Sequence, residues 1–285
     1  MQLDFEDIQR KIQLEYGIYI HIGIEREFYC AGISWTTLAE YFSKIARNYP
    51  LIKKISKEQS DNQFEYNSGS TICIADLVKQ EKEFQEELMN KISSSGSECF
   101  FKDIDTVSGK IFNGLHINIS LHDERGANLY SVMNGSIRSQ DNSFVWCMSG
   151  LLETMRDLTL LFAPTAECYG RFCPSAFPNF TFTPCNVSWG VDNRTTALRI
   201  PPVGNQSENR RIEHRVSNAS ADLAVAVTGV FLGLEHGLHN QNKPSIPQVF
   251  GYANDPRLSL MPLPKTLLEA REIYEESLLR NRLFK

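Results

Sequence analysis

Apolar side chains recur along this chain with two periods. Over residues 3–16 the spacing is helical: Phe5, Ile8 and Ile12 fall at i, i+3 and i+7, one stripe of an amphipathic helix. Gly17 ends that pattern, and over 17–30 apolar and polar residues alternate as a half-buried strand requires. Helical spacing returns over 36–49, over the Glu/Lys-rich 76–93, and over 145–163, which stops before Pro164. The run Ser93-Ser94-Ser95-Gly96-Ser97 predicts a loop, and a strand over 114–122 is closed by an Asp123-Glu124-Arg125-Gly126 turn. Residues 171–188, rich in Pro and aromatics, and the polar 202–209 read as irregular loops. An apolar helix is predicted over 219–238 and an amphipathic one over 265–280, whose Leu267, Leu268, Ile273, Leu278 and Leu279 cover the core or meet another subunit. With no internal repeat and no long linker, one compact α+β domain over 1–285 is the simplest arrangement.

Four segments carry one chemical theme. In a strand, residues i and i+2 point the same way, about 6.5–7 Å apart. Glu25 and Glu27 thus share a face with His21 and Gly23, leaving Ile20, Ile22 and Ile24 opposite. Gln63, Glu65 and Asn67 oppose Phe64 and Tyr66, and His116, Asn118, Ser120 and His122 oppose Leu115, Ile117, Ile119 and Leu121. Arg211, Glu213 and Arg215 oppose Ile212 and His214. Any one of these could be a half-exposed strand with a solvated polar face. Taken together, Glu25, Glu27, Glu65, Glu213 and His116, with Glu58 on an adjoining loop, offer enough oxygen and imidazole ligands for two hard divalent cations such as Mg²⁺ or Mn²⁺. His21 and His122 read as packed or exposed side chains rather than ligands, and His236 and His239 as surface or cap residues.

The stretch Trp189–Pro201 places Arg194 and Arg199 five residues apart, between an Asp192-Asn193 pair and an Ile200-Pro201 stop. A guanidinium is permanently charged and grips phosphate or carboxylate oxygens in a planar fork. Two on one short segment read as a polyanion clamp, against the plainer reading of surface salt bridges. Arginines beside a carboxylate-bound cation are the apparatus of phosphoryl transfer, which needs positioning and charge neutralisation.

The bulk numbers are those of a soluble globular protein: 285 residues, 42% hydrophobic and 22% charged. A net charge of −5 argues against nucleic acid or an anionic membrane as the main partner. The seven cysteines are odd in number and scattered, with no C-x-x-C pair, which suits free thiols in a reducing cytoplasm. The N-terminal MQLDFEDIQRK is acidic and helical, unlike a signal peptide, and the apolar run Leu223 to Leu234 is too short to span a bilayer.

Six motifs, in order, resemble the glutamine synthetase family, and the likeness spans nearly the whole chain. Gly23-Ile24-Glu25-Arg26-Glu27-Phe28 resembles the family's G-x-E-x-E-F strand, and Glu58-Gln59-Ser60-Asp61-Asn62-Gln63-Phe64-Glu65 its E-x-x-P-G-Q-x-E loop. Gly114 to Leu121 is similar to G-[ML]-H-x-H-x-S-L, and Tyr169-Gly170-Arg171 to the Y-x-R of the substrate arginine. Asn193–Pro201 and Arg211–Arg215 match N-R-x-x-x-x-R-x-P and R-x-E-x-R. The resemblance implies an α+β catalytic domain with a curved, mostly antiparallel sheet forming a funnel-shaped active site flanked by helices. It also implies roles. Glu27, Glu58 and Glu65 would hold one cation, and Glu25, His116 and Glu213 a second, with a third site open. Arg171 and Arg215 would orient glutamate, and Arg194, Arg199 and Arg211 would meet the ATP phosphates, with Ser120 near the nucleotide. Arg194, Arg171 and Glu213 would act in catalysis. ATP would phosphorylate the γ-carboxylate of glutamate, and an amine or ammonium would displace phosphate.

The departures bear on substrate and assembly. The family's N-terminal β-grasp domain is not found ahead of residues 1–16, and the chain stops at Lys285 without the family's further C-terminal helices, so the double-ring assembly is not expected in its usual form. Phe177 stands six residues after Arg171, where ammonia-using members carry a glutamate that deprotonates ammonium. A phenylalanine there suits the branch making γ-glutamyl amides of larger amines. Asn118 replaces a histidine near the nucleotide, Ile111-Phe112-Asn113 replaces an Asn-Gly pair, and Ser60-Asp61-Asn62 replaces a Pro-Gly turn. Four readings stay open: a γ-glutamyl–amine ligase, an ammonia-using glutamine synthetase completed by a separate N-terminal protein, a non-catalytic relative, or a ligase for another acceptor such as the cysteine amino group. A homo-oligomer is expected in the cytoplasm.

Overall fold

The structure, a computed structural model, describes residues 5–58, 62–101, 113–130, 132–133, 136–137, 142–173, 182–204 and 206–280. Phe177 and the substituted stretches at 59–61 and 111–112 lie outside the described residues. The strands are β1 (Tyr19–Ala31), β2 (Ile52–Lys57), β3 (Gln63–Ser68), β4 (Glu98–Phe100), β5 (Leu115–His122), β6 (Val132–Met133), β7 (Ser136–Ile137), β8 (Trp189–Val191), β9 (Leu198–Ile200) and β10 (Ile212–His214). The helices are α1 (Phe5–Tyr16), α2 (Trp35–Ile45), α3 (Ile74–Ser93), α4 (Ser143–Glu153), α5 (Thr159–Phe162), α6 (Leu223–Asn240) and α7 (Leu267–Glu276).

The main sheet runs β2-β3-β1-β5-β10-β9-β8, with β4 also pairing β1, and β6-β7 form a separate hairpin. All main-sheet pairs are antiparallel except β8–β9, which is parallel. The predicted alternation holds on both faces. Ile20, Ile22, Ile24, Phe28, Phe64, Tyr66, Leu115, Ile117, Ile119, Leu121 and Ile212 are buried on one side, in a core closed by the helices. The edge strand β2 exposes Lys53 and Lys54, charges that discourage further strand pairing.

The helix boundaries have local causes. The last apolar helix starts at Leu223 rather than 219 because Asp222 caps it, accepting from the Val225 N–H at 3.0 Å. Thr266 caps α7 at Glu269 N–H (3.1 Å), and the Glu269 carboxylate reaches back to Lys265 N–H at 2.8 Å. The helix expected over 145–163 breaks into α4 and α5, where Thr154 and Thr159 turn their hydroxyls back onto the carbonyls of Gly150 and Met155, each at 2.8 Å. His236 is half-buried on α6 and meets Glu153 at 3.0 Å. No helix of the described residues is long and apolar enough to cross a membrane.

Arg26 points into the core beside the site strands. It pairs with Glu81 of α3 at 2.7 Å and donates to the Ala221 carbonyl at 3.0 Å, while Tyr66 donates to Glu81. This buried network ties β1 and β3 to α3 and to the turn before α6. Helices α4 and α6 cross through glycines: a Cβ at Gly237 would lie 2.0 Å from the Trp146 carbonyl oxygen, and one at Gly150 2.2 Å from that of Gly233. Neither backbone atom can yield without parting the helices. Gly237→Ala is therefore expected to cost about 3 kcal/mol, at the upper end of ordinary overpacking, measured as a lowered midpoint in urea unfolding.

Candidate active site

The sheet's other face gathers the polar series. Cross-strand partners share a face, and the register sets Glu27 opposite Glu65, Glu25 opposite His116, His21 opposite Ser120, and Glu213 opposite both Asn118 and Arg199. One ligand atom from each of Glu25, Glu65 and His116 lies within 4.8 Å of the other two. His116 Nδ1 stands 3.5 Å from Glu25 Oε2 and 3.6 Å from Glu213 Oε1. Glu27 Oε2 accepts from the Gly114 N–H at 2.8 Å and from Gln63 Nε2 at 3.4 Å. The long β1 strand sets Glu25 and Glu27, two residues apart, on one face between β3 on one side and β5 on the other.

The closest trio takes members from both cation sets implied by the family resemblance. Glu213 stands outside it because its oxygens are engaged: Arg199 donates to Oε2 at 2.8 Å and Arg215 donates to Oε1. These guanidiniums and His116 outweigh the burial of Glu213 and hold its carboxyl below the usual range. Burial also opposes ionisation of Glu25, but the adjacent His116 imidazole, then the Asn118 amide that donates to it, bring it down to about 2. Glu65 has no such partner among the described residues. Burial, then the charges of Glu25, Glu27, Glu58 and Glu213, push it up to about 9. Glu58 is raised by burial and by Glu27. Hard oxygen donors with one imidazole, two carboxyls held above their usual range, and a buried His116 Nδ1 lacking a hydrogen bond fit a divalent cation such as Mg²⁺ or Mn²⁺.

The arginines divide by engagement. Arg194 is exposed, and its charge is felt by Glu58. Arg199 also pairs with Asp192 at 2.9 Å. Arg211 Nε donates to Asn118 Oδ1 at 2.8 Å, and Asn118 passes the link to Glu25 Oε1 at 3.1 Å. Arg215 donates to the Phe182 carbonyl at 3.1 Å as well as to Glu213. Arg171 is buried and donates to the carbonyls of Ser217 (2.9 Å) and Arg215 (3.3 Å). A Cβ at Gly114 would meet His116 Nε2 at 3.1 Å and Arg171 Nη2 at 3.6 Å, so glycine keeps room where these two side chains approach.

Beside the carboxylates opens a pocket of about 530 Å³, lined by Glu25, Asn67, Asn118, Ser120, His122 and Arg211 among others. His21 and His122, set aside in the sequence, both line it, with ring centroids 4.2 Å apart and His122 Nε2 3.0 Å from Ser120 Oγ. Their i, i+2 phase with the site residues was the available signal. Asn118 is a bridge between Arg211 and Glu25, which its substitution for a histidine did not foretell. His214 faces the core against Phe162 (centroids 4.5 Å apart), and burial, with the nearby His116, takes its imidazole down to about 3.

The model of the glutamine synthetase catalytic domain matches residues 52–285. The chain belongs to the glutamine synthetase family. It is 36% identical over 130 residues to gamma-glutamylputrescine synthetase of Escherichia coli K12, covering 45% of this chain and 25% of that protein. It is 32% identical over 172 residues to gamma-glutamylethanolamide synthetase of Streptomyces coelicolor, covering 60% and 34%. To a glutamine synthetase of Pyrococcus abyssi it is 27% identical over 253 residues, covering 81% and 54%. The chain thus spans between about a quarter and a half of the length of these curated relatives. The Glu25–Glu27 strand lies before the matched domain region, so in this member of the family the structure joins it to the cluster through the β1–β3 and β1–β5 register.

The raised Glu65 predicts a pH dependence. Both states are protonated below the ordinary carboxylate pKa of about 4.3; above it the unfolded chain releases a proton that the folded chain keeps until about 9. The stability contributed by this group is full below about pH 4.3 and is lost as pH rises through that window. Glu65→Gln is expected to stabilise the cation-free protein at pH 8 and flatten its stability from pH 5 to 9, while reducing the thermal stabilisation given by Mn²⁺. Denaturant unfolding across pH, with and without Mn²⁺, checks both.

Proposed function

We propose that the chain carries the catalytic site of an ATP-dependent carbon–nitrogen ligase that joins glutamate to an amine as a γ-glutamyl amide. The observation that carries this reading is the convergence of Glu25, Glu65 and His116 within 4.8 Å, with Arg211 tied to Glu25 through Asn118, Arg199 and Arg215 on the neighbouring Glu213, and an adjoining pocket of about 530 Å³. The relatives named for putrescine, ethanolamide and isopropylamine chemistry support an amine acceptor. Phe177, in place of the family's glutamate, supports it from the sequence.

In this reading Glu27, Glu58 and Glu65 hold one divalent cation and Glu25, His116 and Glu213 another. The cations, when bound, supply charge neutralisation for the phosphoryl oxygens. The nucleotide lies in the pocket lined by Ser120 and Arg211. Arg194 is the most exposed of the five site arginines and takes up charge growing on the transferring group, together with Arg199 and Arg211. Arg171 and Arg215 orient the glutamate carboxylates. The γ-phosphoryl group passes to the γ-carboxylate, leaving ADP. The amine nitrogen then attacks the acyl carbon, the carbon–oxygen bond to phosphate breaks, and a proton leaves the nitrogen. The same proposal carries a cytoplasmic homo-oligomer, with ATP, glutamate and an amine as partners. An ammonia-using enzyme, completed by a separate N-terminal domain, is the second reading, favoured by the glutamine synthetases among the relatives.

The test is phosphate release from ATP with Mg²⁺ and glutamate, run against putrescine, ethanolamine, isopropylamine and ammonium. Turnover with an alkyl amine well above that with ammonium is the expected result. Release with ammonium alone would transfer the assignment to glutamine synthesis, and no release with any acceptor would overturn it for this chain. In the active combination, Arg194→Ala is expected to lower kcat about 10²–10³-fold, the scale of losing one preorganised charge donor, with Mn²⁺-dependent thermal stabilisation intact.

A further inference from the structure

A second cavity, of about 500 Å³, opens behind the arginine-bearing strands and shares no lining residue with the pocket beside the carboxylates. Phe144, Trp189 and Ile200 give it an apolar wall. Trp189 spends its indole N–H on the Ile246 carbonyl at 2.8 Å, which leaves the ring face for contact. Phe144 meets Tyr130 edge-on with centroids 4.0 Å apart.

Two polar atoms of residues in this wall have no partner among the described residues. Tyr130 is 94% buried by its 6% exposure, yet its hydroxyl makes no hydrogen bond. The Arg210 Nε is likewise buried and unpartnered. A buried hydroxyl or guanidinium N–H without an acceptor costs free energy that a bound acceptor recovers. Lys243 adds a second positive charge at the rim, and no carboxylate lines the cavity among the described residues. Such a volume suits a small organic ligand, and the lining asks for an apolar body with an anionic acceptor at one end.

We propose that this cavity is a second small-molecule site, for an aromatic or branched aliphatic carboxylate, with the acid on Arg210 and Tyr130 and the apolar body against Phe144, Trp189 and Ile200. It is distinct from the phosphoryl-transfer site and does not rest on that assignment. Arg210 and Arg211 are adjacent in sequence but serve opposite cavities.

Calorimetric titration of the full chain with 4-phenylbutyrate tests it, with and without MgATP. Saturable binding unchanged by MgATP is expected. Losing a hydrogen bond to a charged group predicts affinity lowered about 10-fold or more in Arg210→Met, and about 3- to 10-fold in Tyr130→Phe, which keeps the ring and its packing. Neutral 4-phenylbutanol should bind about 10-fold more weakly than the acid. Absent binding, displacement by MgATP, or equal affinity of wild type and a Tyr130→Phe variant with unchanged thermal midpoint would each overturn the proposal.

Discussion

Like charges crowded on one face of a sheet govern this structure. Burial, then the charges of Glu25, Glu27, Glu58 and Glu213, raise the cost of ionising Glu65, and burial with Glu27 does the same to Glu58. The surroundings offset this unevenly. Glu213 has Arg199 and Arg215, Glu25 has His116 and Asn118, and Glu27 takes the Gly114 N–H. Glu65 has none of these, so its proton remains the compensating charge. In the proposed function a divalent cation would take the place of that proton.

The rest of the architecture holds the cluster still. The opposite face of the same strands is largely apolar, and the Arg26 buried in it is held by Glu81 and by the Ala221 carbonyl. The glycine-to-glycine crossing of α4 and α6 packs these two helices backbone against backbone. Rigid strands fix the Cβ positions, so carboxylates that repel one another cannot simply move apart.

Much of this was legible in the chain. The i, i+2 phase of β1, β3, β5 and β10 gave the shared face directly, because alternation is strong wherever one side of a strand is buried. The three-residue strands β4, β8 and β9 were not legible, since they lack the alternating charged residues that flag the equally short β10 at Arg211, Glu213 and Arg215. Nor could spacing show that Glu25, Glu65 and His116 form the tightest trio. That depends on Glu213 being occupied by Arg199 and Arg215, a competition between partners set by the register of β9 with β10. The apolar cavity at Trp189 and Tyr130 was invisible for the same reason: its walls come from segments far apart in sequence.

The most direct measurement is a calorimetric titration of the cation-free chain with Mn²⁺ at pH 7.5, repeated in buffers of different ionisation enthalpy. Saturable binding with release of about one proton, supplied by Glu65, is the predicted result. Absence of binding, or binding with no proton release, would contradict the view that the carboxylate face is built to exchange a proton for a cation.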